Sequence, residues 1–171
     1  MKAIAVSGIV LFALLLSRDV VAKGATTRIS IRDRVTNSSV DITDRAVLDR
    51  FIVWSGPGTF SRVARGPEVE GQDGFIIDWP AGIVVNRPAG LHRHEVRFYC
   101  ETPNSTTERL AYVVYYEHDA QSKTGFIYLP SRSEEYGRLN SSTIERGHGY
   151  EGHWFRATAA WQNAVHELLA R

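Results

Sequence analysis

Residues 109–117 read Arg-Leu-Ala-Tyr-Val-Val-Tyr-Tyr-Glu, and this stretch decides the fold class. Its alternate residues fall on two faces of a β-strand, and both faces are apolar: Leu110, Tyr112, Val114 and Tyr116 on one, Ala111, Val113 and Tyr115 on the other. A strand with one face in water alternates apolar with polar residues instead. The stretch therefore predicts a central strand in a sheet that is covered on both sides.

Two further strands flank this one. Residues 93–101 precede it and residues 125–129 follow it, and the turn-rich segments 102–105 and 122–125 lie between them. Connections this short predict an antiparallel meander. Upstream, residues 28–35 alternate apolar with polar side chains, which is typical of a half-exposed strand. Residues 74–79 form a short apolar run that predicts one more strand.

The sequence predicts two helices. Near the N-terminus, Thr43 or Asp44 can cap a short helix in which Val47 and Phe51 lie one turn apart. Near the C-terminus, Thr158 can cap an amphipathic helix with one apolar stripe, formed by Trp161, Val165, Leu168 and Leu169.

We expect the C-terminal helix to cover one face of the sheet. The N-terminal helix, or a long Gly- and Pro-rich loop at residues 55–74, would cover the other. The predicted fold class is α+β, with an antiparallel sheet of about five to seven strands, a short N-terminal helix and a C-terminal amphipathic helix.

The first 22 residues have the pattern of a secretory signal peptide. Lys2 is followed by an apolar run from Ala3 to Leu16, and small or β-branched residues end at Ala22, where we expect cleavage. The run is shorter than the roughly 20 residues of a membrane-spanning helix. An uncleaved anchor is the alternative. We expect export to the periplasm or the extracellular space, with no membrane span after cleavage.

Residues 23–171 have a length that suits one globular domain. Removing the signal segment takes away Lys2, Arg18 and Asp19 and leaves equal numbers of acidic and basic side chains. That balance argues against a nucleic-acid partner, which needs clustered positive charge. The single cysteine, Cys100, allows no disulfide within the chain, and its place on a strand favours burial. We expect a monomer that needs no cofactor.

Several segments match a recurring pattern. They are residues 42–44, 51–59, 77–79, 112–116, 128–130, 138–140 and 151–155. In these the chain resembles a group of short exported bacterial proteins that have no assigned activity. The resemblance implies bacterial export and one domain, and it carries over no catalytic residue.

Candidate catalytic and metal-binding residues are few. His92 and His94 lie two apart and would share one face of a strand. A zinc or copper site would need a third donor, such as His148, His153 or a carboxylate. The pattern alone does not favour a metal site. Asp78, beside an aromatic ring, is the candidate for acid–base chemistry, with Glu95 or Glu117 as a partner.

Aromatic residues near loops suggest a ligand cleft instead. The predicted ligand-binding residues are Trp54, Trp79, Tyr116 and Tyr136 for stacking, and Arg97 or Arg138 for an anionic group. The first hypothesis is thus a non-enzymatic domain that binds a ligand or a protein partner. The alternatives are a small hydrolase, metal-assisted or based on Asp78, and a structural subunit of an envelope assembly. Asn37, Asn104 and Asn140 each begin an Asn-x-Ser/Thr triplet, a glycan acceptor in a eukaryotic secretory pathway.

Overall fold

The computed structural model describes residues 25–49, 76–102, 105, 107–143 and 150–169. In this part of the chain, six strands form one antiparallel sheet in the order β2-β1-β3-β4-β5-β6. The strands are β1 Thr26–Asp33, β2 Ser39–Ile42, β3 Arg93–Glu101, β4 Glu108–Asp119, β5 Thr124–Tyr128 and β6 Trp154–Arg156. The helices are α1 Arg45–Leu48, α2 Gly137–Thr143 and α3 Ala159–Leu169. The predicted α+β class is confirmed.

The meander β3-β4-β5 follows the prediction closely. Strand β4 lies inside the sheet, between β3 and β5, and Val96 pairs with Val114 in the β3–β4 register. Its residues from Ala111 to Glu117 are all buried. A strand buried on both faces needs apolar residues at every position, which is the pattern that residues 110–116 show.

Strand β1 begins and ends two residues earlier than the predicted strand at residues 28–35. It pairs with β2 through a short turn and with β3 on its other side, where Ile29 lies opposite Phe98. Directly opposite residues of an antiparallel pair share a face. This register therefore places Ile29 and Ile31 with Val96 and Phe98 on one face, which we call the core face.

Helix α3 covers the core face. As predicted, Thr158 caps it, because its Oγ1 accepts a hydrogen bond from the backbone N–H of Trp161 at 3.1 Å. The Trp161 ring lies edge-on to Tyr116, with 6.1 Å between centroids. Full burial of a side chain this large stabilises the fold by roughly 1.5–3 kcal/mol or more. Leu169 is exposed, so the predicted apolar stripe ends at Leu168.

Helix α1 is a single turn. The carboxylate of Asp44 accepts a hydrogen bond from the N–H of Ala46 at 2.9 Å, as the cap prediction requires. Leu48 is buried in the core, and Val47 packs against it. Phe51, the other residue of the predicted apolar pair, and the predicted loop at residues 55–74 lie outside the described residues, as do residues 1–24.

Helix α2 is an element that the sequence did not indicate. It lies beside β4, where β5 has ended and, among the described residues, the β4 backbone has no neighbouring strand on that side. The side-chain amide of Asn140 replaces that neighbour: it accepts from the N–H of Val113 at 2.9 Å and donates to its C=O at 2.7 Å. Thr143 donates to the C=O of Ala111. The helix thus closes an open sheet edge with side chains.

Of the two covers predicted for the second face, helix α1 is wrong, and the loop at residues 55–74 lies outside the described residues. Helix α1 contributes to the core face, where Leu48 packs, and not to the opposite face. Within the described part of the chain, the opposite face is covered by its own long side chains and by the segment before α2, where Tyr136 contacts Tyr115. We call this second surface the outer face. Part of the cover of the outer face thus comes from long polar side chains at alternate positions of the strands.

The strand predicted at residues 74–79 is also wrong in its described part. Ile77 makes only an isolated bridge to Ala157, and residues 79–81 form a turn of 3₁₀ helix instead. Pro80 explains the change, because proline lacks the N–H that a continuing ladder needs. Asp78 caps this turn, and its Oδ1 accepts from the N–H of Ala81 at 3.3 Å.

Cys100 is fully buried on β3, in agreement with its predicted place in the core. Burial raises the pKa of its thiol to about 11. A thiol that stays protonated at neutral pH is a poor nucleophile.

Among the described residues, no helix has the length and apolar character needed to cross a bilayer.

Candidate functional site

The outer face carries charged and aromatic side chains at alternate positions of β3 and β4. In β3, Arg93, Glu95 and Arg97 alternate with core residues. In β4, Tyr115 and Glu117 lie directly opposite Glu95 and Arg93. Because opposite residues of an antiparallel pair share a face, the five side chains form one cluster.

Glu117 is the centre of the first ion-pair group. It is only 2% exposed, yet it carries a carboxylate. Its Oε1 accepts from Nε of Arg93 at 2.9 Å, and its Oε2 accepts from Nη1 of Arg87. Buried carboxylates are found almost only where cations pair with them, and Glu117 has two such partners.

Glu95 is the centre of a second group. Nη2 and Nε of Arg97 donate to its Oε2 at 2.5 and 2.8 Å, and Arg34 approaches its Oε1 at 3.3 Å. The hydroxyl of Tyr136 lies 3.3 Å from Oε2. Glu95 is also buried. The cluster thus holds two buried carboxylates, each bound to two guanidinium groups.

Aromatic rings hold these guanidinium groups in place. Arg87 lies 3.9 Å above the ring centroid of Trp154, and Arg93 lies 5.5 Å from the same ring. Arg34 and Arg93 each lie 5.4 Å from the Tyr115 ring. Cation–π contacts at such distances add roughly 0.5–2 kcal/mol each and restrict the rotation of the arginine side chains.

A shallow, open pocket of about 420 Å³ lies among these arginines. Its lining residues are Arg34, Arg87, Gly90, Leu91, Arg93 and Glu117. Among the described residues, three positive side chains and one carboxylate line this space, and Arg34 also pairs with Glu95 and Glu135. Within the described residues, neither Nη atom of Arg93 has a hydrogen-bond partner. The pocket can therefore offer N–H donors to an anion.

The structure separates the predicted stacking residues. Trp79 packs on Tyr150 and Phe155 at the core face, with ring centroids 5.2 Å apart in both pairs. Tyr116 is 1% exposed and cannot present its ring to a ligand. Tyr136 contacts the outer face, on the other side of the sheet. These three rings do not form one cleft, and Trp54 lies outside the described residues.

The two arginines predicted to bind an anionic group lie in different parts of the structure. Arg97 lies on the outer face, but its guanidinium is bound to Glu95 and to the Tyr136 hydroxyl. Arg138 is exposed on α2 and does not line the pocket. The arginines that line it are Arg34, Arg87 and Arg93, which the sequence reasoning missed. For Arg93 the sequence did contain a signal: Arg93, Glu95 and Arg97 occupy every second position of their strand and therefore share one face.

The catalytic and metal candidates also have defined places. The carboxylate of Asp78 serves as the cap described above, while Glu95 and Glu117 bind arginines.

His92 and His94 lie side by side, with 4.7 Å between ring centroids, and Nε2 of His92 lies 2.8 Å from Oδ2 of Asp33. The N–H groups of Thr36 and Val35, which donate to Asp33, lower the pKa of its carboxyl to about 2. Desolvation lowers the pKa of His94.

The raised pKa of Tyr116 can be tested by measuring stability in alkaline solution. A tyrosine in an unfolded chain titrates near pH 10, whereas burial raises the pKa of Tyr116 to about 12. Since the folded-state pKa is the higher one, this contribution to stability is complete below pH 10 and is lost as the pH rises towards 12. We expect the urea midpoint to fall over this range, and to fall less steeply for Tyr116→Phe. Equal slopes for the two proteins would contradict the assignment.

The fold and this site define a class: an α+β domain whose antiparallel sheet carries an outer face of buried glutamates, arginines and aromatic rings. No family model, curated protein or solved structure matches the chain.

Proposed function

We propose that this chain is an exported, monomeric, non-enzymatic domain that binds a ligand through an anionic group, a carboxylate or a phosphate. The binding site is the outer-face pocket lined by Arg34, Arg87 and Arg93. The observation that carries the proposal is that three arginines and, among the described residues, a single carboxylate, Glu117, line this open space.

The chemistry of these arginines favours an anion. A guanidinium presents several N–H donors in a planar fork that matches the oxygens of carboxylate and phosphate. Arg93 uses Nε for Glu117 and keeps both Nη atoms for another acceptor among the described residues. Arg87 uses Nη1 for the same carboxylate. Glu117 thus fixes the two arginines without neutralising both.

The rigid support of the arginines also favours binding. The Trp154 ring lies under Arg87, and Arg34 and Arg93 each lie 5.4 Å from the centroid of the Tyr115 ring. Ordering a flexible side chain on binding costs roughly 0.5–1.5 kcal/mol. Side chains that are already held by rings and carboxylates avoid much of that cost. A preformed anion site of this kind suits a binding domain.

Export rests on separate observations. The charged start, the apolar run and the small residues of positions 1–22 support a signal peptide, and the resemblance to short exported bacterial proteins supports the same destination. The equal numbers of acidic and basic residues after position 22 favour a discrete ligand over a nucleic acid. The ligand-binding hypothesis is thereby kept, with the site moved from the predicted cleft to the outer face.

Binding of inorganic phosphate and of citrate tests the site. A ligand that binds only the native state at ten times its Kd adds about 1.4 kcal/mol, which corresponds to a rise in Tm of about 3–6 °C. We expect such a rise with at least one of the two anions, compared with sodium chloride at the same ionic strength. Phosphate and citrate together distinguish a phosphate site from a carboxylate site.

Arg93→Ala and Arg138→Ala form the matched pair. Arg93→Ala should abolish the anion-induced rise in Tm, whereas Arg138→Ala, which removes an exposed arginine outside the pocket, should keep it. The comparison uses the shift on adding the anion, so a lower starting Tm does not disturb it. The proposal is wrong if neither anion raises the Tm above the chloride control, or if both variants respond like the original chain.

A further inference from the structure

The end of the sheet next to the pocket holds a second group of chemically active side chains. Asp33 is the last residue of β1, and His94 lies opposite it in β3. His92 precedes β3 by one residue. One nitrogen from each histidine and one carboxylate oxygen of Asp33 all lie within 4.8 Å of one another. We propose that these three residues form a binding site for a divalent transition metal of the zinc type.

The donor set selects the class of metal. Two imidazole nitrogens and one carboxylate oxygen suit zinc and its neighbours in the first transition row, whereas calcium and magnesium prefer oxygen ligands alone. Three protein ligands also leave a coordination position open, as in catalytic zinc sites. The site is therefore distinct in chemistry from the arginine pocket.

The distances are compatible with coordination. Ligands lie 2.0–2.2 Å from a zinc ion, so two donors of a tetrahedral site are about 3.3 Å apart. The observed donors need to approach by no more than about 1.5 Å, which rotation of exposed or half-buried side chains can supply. Oδ2 of Asp33 and Nε2 of His92 are already 2.8 Å apart. The side chain of His92 is about half exposed, which leaves the site open to solvent.

The Asp33 carboxylate is also oriented. Its Oδ1 accepts from the backbone N–H groups of Val35 at 2.7 Å and Thr36 at 3.1 Å, in the turn between β1 and β2. Its Oδ2 lies 2.8 Å from Nε2 of His92. Hydrogen bonds that fix a ligand in this way are typical of metal centres.

His94 supplies an independent observation. Its Nδ1 is shielded from solvent and has no hydrogen-bond partner among the described residues. A buried polar atom without a partner costs roughly 1–3 kcal/mol. The Asp33–His92 hydrogen bond alone gives no reason for such an atom. Coordination of a metal ion by a nitrogen of the His94 ring would give that ring a partner in the cluster.

Zinc titration of the full, untagged chain tests the proposal. After treatment with a chelator and dialysis, we expect calorimetry with zinc chloride to show one ion bound per chain. Cobalt should give the visible absorption of a bound ion, and calcium and magnesium should not bind at the same concentrations. His94→Ala should weaken zinc binding at least about tenfold.

Two further variants make the result decisive. Asp33→Asn keeps an oxygen acceptor for Val35 and Thr36 but places a donor amide where Oδ2 stood, so circular dichroism should be unchanged while zinc binding is weakened. His166→Ala, which removes an exposed histidine of α3, should bind zinc like the original chain. Absence of zinc binding, or equal losses in His94→Ala and His166→Ala, would overturn the proposal. Anion binding is measured without metal, so the two sites fail or succeed separately.

Discussion

Replacing both Arg87 and Arg93 by alanine is expected to lower the free energy of unfolding by about 3–5 kcal/mol. The two guanidinium groups are the ion-pair partners of Glu117, which is 2% exposed. Without them, a buried carboxylate has lost the cations that compensate its desolvation. Urea denaturation of the double variant measures the effect. The loss is a large part of the 5–15 kcal/mol that stabilises a typical domain.

A third substitution identifies the cause. Adding Glu117→Leu to the double variant removes the uncompensated charge, and we expect most of the lost stability to return. The control is the pair Arg132→Ala and Arg138→Ala, which removes two exposed arginines and should change stability by no more than about 0.5 kcal/mol. If the triple variant stays as unstable as the double one, the loss comes from the packing of the arginine stems on Trp154 and not from Glu117.

Asn140→Ala is expected to cost about 2–4 kcal/mol. The Asn140 side chain is buried and binds both backbone groups of Val113, on the side of β4 that β5 does not reach. Alanine leaves one buried N–H and one buried C=O without partners, and each such group costs roughly 1–3 kcal/mol. Urea denaturation measures the loss, and amide hydrogen exchange at Val113 should become faster.

Asn163→Ala is the matched control, since Asn163 is an exposed residue of α3. The same chemical change there should leave stability within about 0.5 kcal/mol. Equal effects at the two positions would show that Asn140 does not act through the β4 edge. Exchange at Val113 distinguishes a local opening of that edge from a general loss of stability.

The fold was largely predictable because its signals are local. Residues 110–116 show burial on both faces without any knowledge of their neighbours, and the short turns around them force an antiparallel order. The caps at Asp44 and Thr158 are likewise local. Helix α2 was not predictable in this way. Gly137 begins it, and a Cβ there would lie 2.0 Å from the carbonyl oxygen of Ser131, a restriction that only the folded chain reveals.

The site was harder to predict because its members come from distant parts of the sequence. Arg34, Arg87 and Glu117 meet only when β1, the segment before β3, and β4 lie together, and nothing in their spacing indicates this. Trp79 and Tyr116 show a second difficulty: an aromatic residue is as suited to a core as to a ligand, and both rings pack against core residues. Asn140 begins a glycan triplet in the sequence, but the folded protein buries its amide against β4.

The position of β1 has a consequence for biosynthesis. Its first partner, β2, follows after a short turn, but its second partner, β3, is separated from it by the whole segment between Ile42 and Arg93. Until β3 has been synthesised, the edge of β1 that pairs with it has no partner strand. Arg28 and Arg32 lie on that strand, and charged side chains discourage an open edge from pairing with another chain. We therefore expect Arg28 and Arg32 to limit pairing of β1 with other chains before β3 is available.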